Sequence, residues 1–288
     1  MMDNSGAFER IEGDFAAGLV LLGDHATRRL PEDYGHLGLP HAAFERHIAY
    51  DIGIEPLLRR LCQLTGAPGV MSCFSRLLID PNRGEDDPTL IMRISDGAII
   101  PGNHPITPDE WQRRIARFHR PYHMAVDQLI RQVEAAHGAA PLVISLHSFT
   151  PAWKGVPRPW EAAVLWDSDD RVARPLIEAL EAQAIHTGDN EPYDGALKGD
   201  TLYRHCMMRG LPHALIEIRQ DKIGDAAGVE DWAQRLAPLL MDLNRRPDLH
   251  RHERHTSRTG PYPATDELES KASPDLGKVL PALRPAAI

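Results

Sequence analysis

Histidines and carboxylates at the ends of apolar runs are the residues in this chain that could do chemistry. His147 closes Pro-Leu-Val-Ile-Ser-Leu-His147-Ser148-Phe149. Such a short apolar run reads as a buried strand of a parallel sheet, and α/β folds place their ligands at the carboxyl ends of those strands. Alone, a core histidine bonded to a neighbour is the simpler reading. Similar junctions recur at Gly23-Asp24-His25, Asp80-Pro81-Asn82-Arg83 and Glu217-Ile218-Arg219. Four of them in one chain suggest the rim of one site. Neutral imidazole is the commonest biological metal ligand, so His25 and His147 form half of a candidate zinc site. A catalytic zinc takes three protein ligands and keeps a fourth position for water.

Asp51 is the candidate third ligand. It lies at helical spacing from Phe44, Ile48 and Ile52, and a carboxylate beside an apolar face is costly unless paired or bound to metal. A boundary residue that reaches solvent or an arginine explains it equally well. Asp24 is an alternative, or a group that orients an imidazole; His47, one turn before Asp51, is another. Glu217 sits between two isoleucines and shares a strand face with Leu215 and Arg219. It is half of a structural ion pair or a general base beside a metal. Arg83 offers a planar fork suited to a carboxylate, or a salt bridge to Glu85, Asp86 or Asp87. Arg76 is a second candidate clamp.

The elements that must position these groups alternate. Gly18–Gly23 reads as a strand, 43–64 as a helix interrupted at Pro56, and Val70–Ile79 as one or two strands. The stretch 84–108 reads as a long loop with a short strand at Leu90–Met92. Pro108 opens a helix that continues to Gly138 with a bend near Pro121. Strands follow at 141–146, 162–166 and 213–219, with helices at 172–184 and 229–243 and a polar loop at 188–199. This order predicts a three-layer α/β/α fold on a mostly parallel mixed sheet. A single domain is expected over 1–245, with a polar, Pro/Arg/His-rich, loosely ordered tail over 246–288.

Composition sets bounds. The 288 residues carry a formal net charge of -9, and 42% are hydrophobic. An acidic chain lacks the basic footprint of a nucleic-acid binder, and no apolar stretch is long enough to span a bilayer. No signal peptide is apparent. Cys62, Cys73 and Cys206 are scattered and odd in number, which fits a reducing cytoplasm rather than a disulfide framework. Several of the 15 histidines fall between His250 and His255, so their number says nothing about metal. A homo-oligomer is compatible with everything above.

Leu146-His147-Ser148-Phe149, Asp80-Pro81-Asn82-Arg83 and Ile216-Glu217-Ile218-Arg219 resemble three motifs of the zinc carboxypeptidase-like hydrolases. More closely, the chain resembles the N-formylglutamate amidohydrolase family. The His25 segment, Ser75–Arg83, Tyr122-His123, Leu146–Phe149, Asn190-Glu191-Pro192-Tyr193 and Arg209–Arg219 agree with it in order, across roughly Leu19–Leu243. The resemblance implies a zinc exopeptidase-like fold and one zinc ion, or another divalent metal, on His25 and His147, with Asp51 as the chosen carboxylate ligand. It implies Glu217 as catalytic base and Arg83, Asn82, Arg76, Arg219 and Tyr193 around the substrate; for Tyr193, and for His205 as a further candidate, ordinary packing or loop hydrogen bonding is the simpler reading. The substrate implied is a small N-formyl or other N-acyl amino acid such as N-formylglutamate. One departure stands out: the carboxypeptidase His-x-x-Glu pair reads His25-Ala26-Thr27-Arg28 here, so the carboxylate ligand must come from elsewhere. A carboxypeptidase or amidase on small peptides, and a non-catalytic ligand-binding protein on the same scaffold, are the rival functions. A serine hydrolase is disfavoured, because no Gly-x-Ser-x-Gly elbow is present.

Overall fold

A computed structural model describes residues 6–260. The strands are β1 (Phe8–Ile11), β2 (Leu19–Gly23), β3 (Gly69–Ser72), β4 (Ile94–Ser95), β5 (Ala98–Ile99), β6 (Leu142–Phe149), β7 (Ala152–Trp153), β8 (Val156–Pro157), β9 (Ala162–Leu165), β10 (Thr187–Asp189) and β11 (His213–Arg219). The α-helices are α1 (Ile54–Thr65), α2 (Pro108–Arg114), α3 (Arg120–His137), α4 (Ala173–Ala182), α5 (Thr201–His205) and α6 (Ala226–Asn244). Seven strands form one sheet in the order β1-β3-β2-β6-β11-β9-β10, and β4-β5 and β7-β8 are separate hairpins. The central strands β3, β2, β6 and β11 run parallel. β1 and β9 join antiparallel, and β10 lies parallel to β9. The expected mostly parallel mixed sheet in a three-layer arrangement is therefore present.

Strand alternation divides the core. Leu19 and Leu21 of β2, with Leu142, Ile144 and Leu146 of β6, pack with residues of α1, α4 and α6. Val20, Leu22 and Val143 point the other way, into a second core with α3. Each buried leucine contributes about 1.5–3 kcal/mol, and both faces of the central strands are filled in this way. Continuing the same alternation puts Asp24, Ser145, His147 and Glu217 on the α3 side, where the strands run out of apolar residues.

Several boundaries differ from the sequence reading. The 43–64 segment is not one helix: a 3-10 turn spans His41–Glu45 and α1 starts at Ile54. Gly53 sits between them at φ +86°, and a Cβ there would meet the Ile223 carbonyl oxygen at 2.3 Å. The chain must break at that point. Pro56 falls in the first turn of α1, where an N–H would have no helical partner. β3 stops at Ser72 because the chain then turns on the Ser75 side chain, which donates to the Ala49 carbonyl. The short strand expected at Leu90–Met92 is absent. A hairpin occurs instead at 94–99, around Asp96 and Gly97, both at positive φ, a pair suited to a tight hairpin turn. The bend near Pro121 is a π-turn at Ile115–His119, closed by the Arg120 N–H to the Ile115 carbonyl.

Of the tail expected from 246 onward, the part up to Gly260 is placed against the sheet layer. Leu249 is buried in the core. Ser257 donates to Asp167, and Arg258 pairs with Asp194 at 2.6 Å. The rest of that tail, 261–288, lies outside the described residues. No helix among the described residues is long and apolar enough to cross a membrane.

Candidate metal centre and cleft

His25, two residues beyond β2, and His147, near the end of β6, meet edge to face with ring centroids 5.0 Å apart. Asp51 joins them from the irregular segment before α1. Its backbone N–H donates to the His25 carbonyl at 2.9 Å, which hooks the segment over the end of β2. So Asp51 arrives by a loop and not on the helix face that suggested it. Its Oδ2 lies 3.0 Å from His147 Nδ1 and 3.4 Å from His25 Nδ1. One donor atom from each of the three residues lies within 4.8 Å of the others, and all three residues are buried.

Both imidazoles are held from behind. His147 Nε2 bonds Asp24 Oδ2 at 3.1 Å, and His25 Nε2 bonds Asp80 Oδ1 at 2.7 Å. Each therefore turns Nδ1 toward Asp51. Asp24 is fully buried and is also the acceptor for Tyr122 Oη, Thr201 Oγ1 and Ser145 Oγ. Of the two roles open to Asp24, this is the orienting one. Asp80 also accepts from Arg76 at 2.7 Å and from the Asn82 N–H. Sequence reasoning gave Asp80 no role of its own; the signal was its place at the head of Asp-Pro-Asn-Arg.

The electrostatics match the geometry. Burial pushes the Asp24 carboxyl up, but the bond from His147 and the charges of His147 and His25 outweigh it and hold it below the ordinary range. Burial also raises Asp80, against the charges of Arg76 and His25, which leave it well below that range. Burial disfavours a charged His147, yet its bonds to Asp24 and Asp51 pull it well above an ordinary histidine. The pocket is built to hold positive charge.

The donor set suits a zinc-like cation. Two imidazole nitrogens and one carboxylate oxygen are a usual catalytic zinc set. His25 Nδ1 is buried without a hydrogen-bond partner, an expensive state unless something else is bound there. Both rings also show the carboxylate–imidazole backing common to metal-ligating histidines.

Glu217 stands beside this group: β11 and β6 align so that Glu217 and His147 are Cα partners. Its Oε2 is buried and unpaired. Burial raises the carboxyl to about 7, opposed by the charge of His147. All four residues open onto a cleft of about 380 Å³ that Arg76, Asn82, Arg83 and Tyr193 also line. Asn82 Oδ1 accepts from the Thr201 N–H at 3.0 Å, which fixes the turn that presents Arg83. His47 lines the cleft outside the three-residue group.

Arg219, expected beside the substrate, and His205, for which packing is the simpler reading, both lie outside the cleft. Arg219 turns away to Asp221 and to the carbonyls of Arg158 and Trp160. His205 stands behind the site, its Nε2 2.9 Å from His123 Nδ1. A larger hollow of about 520 Å³, bordered by Thr27, Arg28, Glu55 and Ile223, contains none of the clustered residues.

Comparison with known proteins agrees with the layout. The family model for N-formylglutamate amidohydrolase matches residues 17–224, which spans every residue of the cleft. The chain is similar to a gene product of Agrobacterium tumefaciens of solved structure, at 30% identity over 82% of this chain and 94% of that one, with a TM-score of 0.76. It also shares its fold with the N-formylglutamate amidohydrolase from Ralstonia eutropha JMP134, at 22% identity over 83% of this chain and 97% of that one, with a TM-score of 0.63. No curated protein matches the chain.

Proposed function

The chain belongs to the N-formylglutamate amidohydrolase family, and we propose that it is a metal-dependent hydrolase of N-formyl or other N-acyl amino acids. One observation carries this reading. Donor atoms of His25, Asp51 and His147 converge within 4.8 Å, in one cleft with Glu217 and the Asn82-Arg83 turn. Nδ1 of each imidazole and the Asp51 carboxylate would hold one zinc, or another divalent cation. Bound there, the ion would acidify water and polarise the amide carbonyl.

The chain's own groups do the rest. Arg83 receives the substrate carboxylate through its planar fork, with Asn82 beside it. That anchor sets the amide bond over the cluster and removes most of the orientational search. Glu217 takes a proton from the attacking water and returns it to the departing amine nitrogen. Burial raises this carboxyl, which favours the protonated form needed for the return step. Arg76, whose Nε is buried and unpartnered, donates to the oxyanion that develops on the carbonyl. The products are a carboxylic acid, formate for a formyl group, and a free amino acid.

The test pairs metal content with turnover. Purified protein is assayed for zinc, and amine release is followed from N-formyl and N-acetyl amino acids with and without chelator. Near-stoichiometric zinc with chelator-sensitive release is expected. Failure to take up any divalent metal on reconstitution would refute the site.

A further inference from the structure

Residues 151–159 are exposed, with the exception of Arg158. The β7–β8 hairpin leaves Trp153 and Val156 outside, at 44% and 67% exposure, and the chain just after it turns a charged residue inward, at 9%. That reverses the usual order of burial. Arg158 makes no ion pair among the described residues, and its partners are neutral. Its Nη1 donates to the Thr150 carbonyl at 3.2 Å and to Thr150 Oγ1 at 2.9 Å. The guanidinium carbon lies 5.0 Å from the centroid of the Tyr193 ring, 5.7 Å from that of Phe149 and 5.8 Å from that of Trp153. Aromatic faces offset part of the cost of a desolvated cation, but a buried charge is ordinarily met by an opposite one.

This cation stands against the cleft. Phe149, Thr150 and Tyr193, all partners of Arg158, line the cleft together with Glu217. Phe149 follows His147 by two residues on the same face of β6, about 7 Å along the strand, a separation that one amino-acid substrate spans. Burial and the charge of Glu217 raise the Tyr193 hydroxyl, while Arg158 opposes them, so Tyr193 feels both groups at once. The acids of the cleft are answered elsewhere. Asp194 pairs with Arg258 at 2.6 Å, and Asp200 caps α5, accepting from the Tyr203 N–H at 2.6 Å. Asp51 and Glu217 belong to the proposed reacting centre. Among the cations, Arg76 is committed, 3.5 Å from Asp51 and 2.7 Å from Asp80. Lys154 and Lys198 are exposed, where water hydrates them. Arg83 makes no ion pair among the described residues; its Nη1 donates to the Asn82 carbonyl at 2.8 Å. Arg83 and Arg158 are thus two uncommitted guanidiniums on separate segments, enough for two carboxylates.

We infer that Arg158 selects the substrate's side chain: Arg83 takes one carboxylate, and Arg158, steadied by Thr150, takes a second at the end of that side chain. The compounds favoured are N-acyl amino acids with an acidic side chain. The inference rests on the proposed reaction for the acyl group, while the charge preference belongs to the cleft itself. A planar fork matches a carboxylate with two parallel hydrogen bonds. The rival role for Arg158 is a structural pin that holds the hairpin through its three rings.

N-formyl-glutamate and N-formyl-glutamine differ by one charge at nearly constant shape. The zinc-loaded protein is assayed for amine release from both. Its kcat/KM is expected to favour the glutamate compound by about 10–100-fold, the range that hydrogen bonds to a charged group supply. Equal rates, or a preference for glutamine, would overturn the inference. Arg158→Gln is expected to bring that ratio near one, through KM for the glutamate compound, and Arg158→Lys to keep part of it. An equal loss on both compounds in Arg158→Gln would mark a structural pin, and an unchanged ratio would place the second carboxylate elsewhere; either overturns it. The same pair is titrated by calorimetry into zinc-loaded Glu217→Gln protein, with and without Arg158→Gln. Suppose the glutamate compound binds more tightly in a way that depends on Arg158, yet the wild-type protein releases amine from neither compound. That would overturn the hydrolase reading and uphold Arg158. Release from both at equal rates would do the reverse, and neither release nor binding would overturn both.

Discussion

At the scale of single residues, the site is two imidazoles whose Nε2 atoms are each bound by a buried carboxylate, Asp24 behind His147 and Asp80 behind His25. This fixes which nitrogen faces the proposed metal position and keeps each ring from turning. Asp24→Asn should therefore weaken zinc affinity by about 10–100-fold, the usual cost of losing such a backing group. An unchanged zinc Kd would show that Asp24 only fills space. The task proposed for Glu217 is different, and its buried Oε2 has no hydrogen bond to lose. Glu217→Gln keeps the shape of the side chain and removes its basicity. Turnover should drop by about 10²–10⁴-fold, the range for a general base, with zinc stoichiometry unchanged. A variant that retains near wild-type kcat would take the proton-transfer role away from Glu217.

At the scale of elements, the turn that carries Asn82 and Arg83 is clamped from outside the cleft. His119 Nε2 meets the Arg83 carbonyl at 2.9 Å, and His123 Nε2 meets the Pro81 carbonyl at 2.9 Å. His119 ends the π-turn and His123 lies in the first turn of α3, so the wider π geometry brings both rings to one loop; such turns are frequent at functional sites. His123→Phe keeps the bulk and loses both bonds. KM should rise about tenfold, equivalent to ~1.4 kcal/mol of lost positioning, with kcat and zinc affinity near wild type. A fall in kcat at constant KM would contradict a positioning role. His147 and Glu217 were legible because a polar residue at the end of an apolar strand leaves few places to point. Asp51 was legible only as a residue type: its carrier is a loop broken at Gly53, whose backbone is forced by a close approach to Ile223, 170 residues later in the chain. Asp80 and the two clamping histidines act through contacts between distant segments, which spacing along one segment does not encode. The 94–99 hairpin is different, since the Asp96-Gly97 pair is a local signal for a tight turn.

At the scale of the whole molecule, the buried titratable groups that shape the cleft also make stability depend on pH. His119 and His205 are pushed down by burial to about 4 and about 3, and His123 well below its ordinary value. All three are neutral in the fold, whereas the unfolded chain protonates them below about 6.5. Each therefore adds stability that is present above that pH and lost as pH falls toward its folded value, about 1.4 kcal/mol per pH unit within the window. Asp200 has the opposite sign. Burial raises it to about 7 against an ordinary 3.8, so its contribution is full below about 4 and disappears as pH rises to 7. The penalty persists at higher pH, where the fold must hold a buried, ionised carboxylate. Asn serves as well as Asp at a helix N-cap, so Asp200→Asn can remove the titration while keeping the bond to the Tyr203 N–H. The stability difference, variant minus wild type, should be flat below about pH 4, grow in the variant's favour between about 4 and 7, and level off above. Denaturant midpoints measured across pH 4–8 would show it. A difference that stays constant over that range would mean that Asp200 is as easily ionised in the fold as in the unfolded chain. Burial would then cost its carboxylate nothing.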